Sequence, residues 1–269
     1  RDVAIMSSVR PFCCCALRGR ASQHQGNAVR NVKALCRMPL TTLSRVETRG
    51  HFELPQSARA LSIKADSLHT MTTSAARFVS VFPALIRLDL RTDHAGEFGA
   101  VQIYQGALAA ARIRQALGLN IEGGRMAEFA QHHMETEQQH LDVMLQLVPP
   151  SDRTRLLPLW RGMALALGFF PSLLGPRQLY WTIAAVETFV EQHYLEQIEK
   201  LQRDHILPEL CALLVKLKED EVEHRDEAVI ALFGHKDAHE ARHPSGTARA
   251  WMRIVEAGSV AAVEASKIV

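Results

Sequence analysis

From about residue 83 the chain settles into a helical rhythm, with apolar residues recurring every three to four positions. The stretch FGAVQIYQGALAAARIRQAL (98–117) predicts a helix that stops at GLNIEGG (118–124), where glycines and an asparagine break the period. RMAEFAQHHMETEQQHLDVMLQLV (125–148) predicts a second helix, ended by Pro149 and Pro150. A second pair follows at 182–204 and 208–232, joined by the short turn before Pro208. Residues 247–269 read as a further amphipathic helix, and no segment reads as a strand.

Between the two pairs, PLWRGMALALGFFPSLLGPRQLYW (158–181) is strongly apolar, with Pro171 and Gly175 as expected interruptions. A span of roughly 20 apolar residues is needed to cross a bilayer, and this run is shorter. It suits either a helix lying in a membrane interface or a buried crossover. The predicted fold is all-α: a four-helix bundle of two hairpins, with an apolar crossover helix and a C-terminal amphipathic helix.

Residues 1–80 show no sustained period. They hold twelve Lys and Arg against four acids, and are rich in Ser, Thr and Ala. That composition is expected of an organelle presequence, mitochondrial above all, or of a basic tail. The domain is therefore placed at 81–269. Four of the five cysteines lie in the basic segment, which leaves Cys211 alone in the domain and suits a reducing compartment. With a net charge of +2, the chain gives no argument for a nucleic-acid partner.

The candidate chemistry lies in glutamates and histidines. Glu137/His140 and Glu221/His224 are Glu-x-x-His pairs well inside predicted helices, so each presents a carboxylate and an imidazole on one face. Glu240/His243 has the same spacing but adjoins Pro244, Ser245 and Gly246, where a helix should fail. Glu97 adds a carboxylate on the apolar side of the first helix, costly unless paired or metal-bound. In a helical hairpin, residues equidistant from the turn lie at one height. Glu97 and Glu137 are centred on Leu117, and Glu187 and Glu221 on Asp204, each beside a predicted turn. Packing the hairpins together gathers four carboxylates and two imidazoles, the ligand set of a carboxylate-bridged di-iron or di-manganese bundle. Glu187 follows the apolar IAAV and is favoured over Glu191. Asp226 is expected to orient a ligand histidine.

The strings DHAGEFGA, EQQH, AVETFVEQHY and DEVEHRDEA resemble the 5-demethoxyubiquinone hydroxylase family of ubiquinone biosynthesis, from about residue 86 onward. The resemblance places Glu97, Glu137, His140, Glu187, Glu221 and His224 on that family's six iron-ligand positions. It makes His193 and Tyr194 the catalytic pair beside the quinone and the metals. Phe98 stands where the family often has Tyr, which removes one hydroxyl.

The implied activity is hydroxylation of a polyprenyl demethoxyquinol ring with O2 at a two-iron centre, using electrons from NADH. The implied setting is peripheral, on the matrix face of the mitochondrial inner membrane, with a lipid-binding partner of the biosynthetic complex and possible homo-oligomerisation. No Gly-x-Gly-x-x-Gly follows a strand, so any nicotinamide site is non-Rossmann. The rival readings are iron storage, which the apolar crossover disfavours, and a non-catalytic quinone-binding scaffold, which would not need the six ligands.

Overall fold

The computed structural model describes residues 58–119, 124–233 and 244–269. The basic segment up to residue 57, part of the first turn, and the Glu240/His243 pair lie outside the described residues. Among them, the fold is wholly helical: α1 (Ala58–Ala76), α2 (Ala84–Ala116), α3 (Arg125–Leu147), α4 (Leu157–Leu174), α5 (Pro176–Asp204), α6 (Pro208–Phe233) and α7 (Gly246–Ile268). The boundaries follow backbone chemistry. Gly124 enters α3 at φ 87° and Gly175 separates α4 from α5 at φ 135°, conformations that favour glycine. Pro176 and Pro208 occupy first-turn positions, where a missing N–H costs nothing. Ser245 caps α7 by accepting from the Ala248 amide at 3.1 Å.

Helices α2 and α3 form one antiparallel hairpin and α5 and α6 the other. Helix α4 lies across α2 and touches α5, while α7 packs on α5 and α2. Two buried apolar clusters form the core. One gathers Tyr104, Phe129, Leu179 and Ile183; the other gathers Leu90, Met144, Leu201 and Leu213. Most of the buried charged residues sit outside both clusters.

Two expectations change, and a third is sharpened. Helix α1 falls in the stretch read as aperiodic and packs on α6 and α3. It buries Leu68, Thr72 and Ala75, of which Leu68 alone is a large apolar side chain, so the stretch leaves little hydrophobic signal. Helix α2 begins at Ala84, as the rhythm from about residue 83 predicts, and is one continuous helix to Ala116 although the buried Asp89 and Asp93 interrupt its apolar stripe ahead of residue 98. Pro171 does not break the crossover, since it lies inside α4; Gly175 alone ends it.

The α2–α4 crossing is built on glycine. A Cβ on Gly168 would fall onto the carbonyl of Ile103, and one on Gly106 onto the carbonyl of Leu165. Both obstacles are backbone and cannot rotate away. Gly168→Ala is therefore expected to destabilise the fold by roughly 1–3 kcal/mol, the usual range for overpacking. Gly162→Ala, where nothing lies within 4 Å, should be neutral or gain up to about 1 kcal/mol of helix propensity. Thermal melts of the two variants check the contrast.

Candidate metal centre

Each Glu-x-x-His pair spans one helical turn of a bundle helix, so carboxylate and imidazole leave on the same side. Glu137 and His140 do so from α3, and Glu221 and His224 from α6. Glu97 comes from the middle of α2 and Glu187 from α5. All six are between 0 and 4% exposed. They meet between the two apolar clusters and cross-connect the hairpins. His140 Nδ1 lies 2.9 Å from Glu221 Oε1 and 3.7 Å from Glu97 Oε2. His224 Nδ1 lies 2.9 Å from Glu137 Oε1 and 3.4 Å from Glu221 Oε2.

Their ligand atoms form two groups, each with its atoms within 4.8 Å of one another: Glu97, Glu137, His140 and Glu221, then Glu137, Glu187, Glu221 and His224. Glu137 and Glu221 belong to both. Several of these buried atoms have no hydrogen-bond partner, among them both Glu137 oxygens, Glu187 Oε1 and Glu221 Oε2. Four buried carboxylates crowded together, three of them with unsatisfied oxygens, are unfavourable by themselves. Two hard divalent cations would neutralise them, and the donor set of carboxylate oxygens and imidazoles fits such ions.

The proton balance reflects the same crowding. Burial pushes Glu97 up to about 8, against the pull of His140. Burial also raises Glu187, and the charges of Glu221 and Glu137 add to it. Burial disfavours a charged His224, yet the carboxylates of Glu137 and Glu221 beside it outweigh this and hold it at about 10. Burial likewise opposes the charge on Glu221, but His140 and His224 keep its carboxyl well below the usual range.

Of the other predicted residues, Tyr194 is buried and its hydroxyl donates to Glu97 Oε1. His193 is 15% exposed and faces Asp93, with Nε2 at 3.2 Å from Oδ1. Glu191 stands apart from the group and pairs with Arg225. Asp226 does not approach a histidine of the group: it is exposed and bound by Arg225. Two residues beyond His224, it leaves the helix on a different side. Asp220 takes the expected place, with Oδ2 3.5 Å from His140 Nε2. Sequence reasoning also passed over His133, buried 4.6 Å from the His224 ring and 3.2 Å from Glu227 Oε2.

A cavity of about 520 Å³ reaches the four glutamates from the α4–α7 side. Trp160, Met163, Leu167, Phe170 and Ile254 line it, so its walls are mainly apolar. Trp160 Nε1 donates to Ser266 (2.9 Å) and Trp251 Nε1 to Thr182 (2.9 Å), which pins α7 over the opening.

A family model described as ubiquinone biosynthesis protein COQ7 matches residues 84–266. The NADPH-dependent 3-demethoxyubiquinone 3-hydroxylase, mitochondrial, of Caenorhabditis elegans is 33% identical over 150 residues, covering 54% of this chain and 75% of that protein. The 3-demethoxyubiquinol 3-hydroxylase of Rhodospirillum rubrum is 39% identical over 147 residues, covering 53% of this chain and 63% of the relative. The Homo sapiens protein, named like that of the nematode, is 34% identical over 139 residues, covering 51% and 60%. The match thus spans about three fifths of the bacterial and human relatives.

Because Glu97 keeps its proton up to about pH 8 and His224 up to about pH 10, an incoming cation must displace them. Raising the pH removes the competitor, so ferrous-ion affinity should climb between pH 6 and pH 8, with proton release detectable by calorimetry in two buffers. Substituting Glu137, shared by both groups, should lower the metal content at both positions, as read by elemental analysis.

Proposed function

Because the chain belongs to the ubiquinone biosynthesis protein COQ7 family, we propose that it is a di-iron hydroxylase acting on the ring of a polyprenyl demethoxyubiquinol. The observation that carries this reading is the pair of overlapping carboxylate–imidazole groups sharing Glu137 and Glu221 at the inner end of an apolar cavity. Glu97, Glu137, His140, Glu187, Glu221 and His224 would hold two iron ions. Bound iron supplies the redox chemistry that activates O2. The names of the relatives number the reacting ring position 3 where the resemblance gave 5, and the eukaryotic ones specify NADPH where it gave NADH. The electron donor is accordingly a reduced nicotinamide.

The chain's own residues do the rest. The apolar walls favour a quinol ring with a prenyl tail and exclude bulk water. The Tyr194 hydroxyl fixes the orientation of Glu97. Asp220, held by Lys216, faces the far nitrogen of His140 and keeps that ring turned toward the carboxylates.

Substrate reaches the cavity from a membrane surface. Contrary to the expectation that the run is too short, helix α4, with its 18 residues, is the one described helix that by length and composition could cross a bilayer. One of its faces is committed to α2, whereas Leu159, Met163, Phe170 and Leu174 are exposed. A helix so divided lies in an interface. The setting is the matrix face of the mitochondrial inner membrane, where a lipid-binding partner would deliver or receive the quinone.

The test uses the full-length chain loaded with ferrous iron, reduced nicotinamide, ¹⁸O₂ and a short-chain demethoxyquinone, read by mass spectrometry of the quinone. One labelled oxygen atom should be gained, and the gain should fall to background in Glu187→Ala. No gain from protein carrying two irons would overturn the reading.

A further inference from the structure

One wall of the cavity carries a second polar arrangement, which runs on from Glu97 along α2. On α2, Asp89, Asp93 and Glu97 recur every four residues and are all buried. Each meets a residue of α5. Tyr194 donates to Glu97, Gln197 Nε2 donates to Asp93 Oδ1 at 2.7 Å, and Lys200 Nζ donates to Asp89 Oδ2 at 3.1 Å. His193 joins the middle rung, its ring stacked on Phe189, and the residue lines the cavity. The metal groups do not include Asp93, so its burial calls for another reason.

Hydrogen-bond directions fix the form of the imidazole. The single hydroxyl proton of Thr92 goes to the Asp89 carbonyl at 2.6 Å. Toward His193 Nε2, 3.0 Å away, the Thr92 oxygen can then only accept. Asp93 Oδ1, 3.2 Å from the same nitrogen, is also an acceptor. Nε2 therefore carries the hydrogen, and the neutral ring keeps its lone pair at Nδ1.

We propose that Asp93 is a positioning residue that holds His193 in its Nε2–H form, so that Nδ1 accepts the hydroxyl proton of a quinol bound in the cavity. The inference rests on the hydroxylase reading. The step is balanced: one ring O–H bond breaks, one N–H bond forms at Nδ1, and the products are a quinolate and an imidazolium. The anionic oxygen enriches the adjacent ring carbon, which makes it the better nucleophile for oxygenation. Asp93 neutralises the imidazolium, as the carboxylate of a serine-protease triad does for its histidine.

The surroundings agree. Burial pulls His193 down, but the bond and charge of Asp93 more than offset it, Asp89 adds to them, and Lys267 opposes. The net shift is upward, toward a stronger base. The charged groups acting on the ring are thus Asp89 and Asp93 from α2, with Lys267 and its partner Glu264 from α7.

Two readouts test this. In the zinc-loaded full-length chain with ¹⁵N-labelled histidine, NMR should give His193 as the Nε2–H tautomer, with the signal assigned by its loss in His193→Gln. Its pKa should fall by roughly one unit in Asp93→Asn. An Nδ1–H tautomer, or a pKa indifferent to Asp93→Asn, overturns the proposal. In the iron-loaded enzyme, Asp93→Asn should lower kcat by about a hundredfold, leave KM within about twofold, and move the acidic limb of the pH profile down. Iron content should stay unchanged, and Asp93→Glu should recover part of the rate.

If Asp93→Asn does not fold, the isosteric Thr92→Val removes the other acceptor and should shift kcat and the acidic limb in the same direction by less. A hydroxylating parent with an unaffected Asp93→Asn, or with an unaffected Thr92→Val where that variant stands in, sinks this inference alone. A parent that hydroxylates nothing sinks the hydroxylase reading itself.

Discussion

The structure depends on burying four carboxylates at one point. An isolated buried carboxylate shifts its pKa or finds a partner; here Glu97, Glu137, Glu187 and Glu221 crowd together with two imidazoles. The side chains around them leave several of their oxygens without a hydrogen bond. The chain meets the constraint by placing an apolar cluster on each side of the acidic layer. Between hairpins, the cross-connections include His140 with Glu221 and His224 with Glu137. The polar layer is thus a structural seam as well as a site. A seam with unneutralised charge is weak evidence for stability, so cations that bind it should also brace the bundle.

The surroundings of that layer are asymmetric. On one side α1 closes against α3 and α6. On the other, α4 and α7 lie over α2 and α5 with a cavity beneath them. The polar ladder of Asp89, Asp93 and Glu97 faces α5, on the cavity side. His193 and Tyr194, consecutive on α5, divide the work because their side chains point about 100° apart on a helix. Tyr194 addresses the carboxylate Glu97, and His193 addresses Asp93 and the cavity.

Much of this was legible before any coordinates. The helical rise is constant and both turns are short, so equal distance from a turn places Glu97 beside Glu137 and Glu187 beside Glu221. What escaped the sequence has physical causes. Helix α1 packs through Leu68, Thr72 and Ala75, too few large apolar groups to raise a period. The first half of α2 is interrupted by acids whose partners, Lys200 and Gln197, lie a hundred residues away on α5. Asp226 was chosen by nearness in sequence to His224, whereas Asp220 reaches the other histidine, His140, across the bundle. A spacing test for acids at every fourth residue would have drawn out Asp89 and Asp93.

Helix α4 shows how one local constraint selects a role. Its contact with α2 needs backbone against backbone at Gly106 and Gly168, which fixes the rotation of α4 about its axis. That rotation turns Met163 and Phe170 partly outward while both still line the cavity. The same side chains therefore border the outer surface and the interior space. A hydrophobic ring with a long tail can pass between them without crossing a charged rim, whereas a polar solute gains nothing on that path. The glycine contact, made for packing, thereby also sets the apolar character of the wall between the outer surface and the carboxylates.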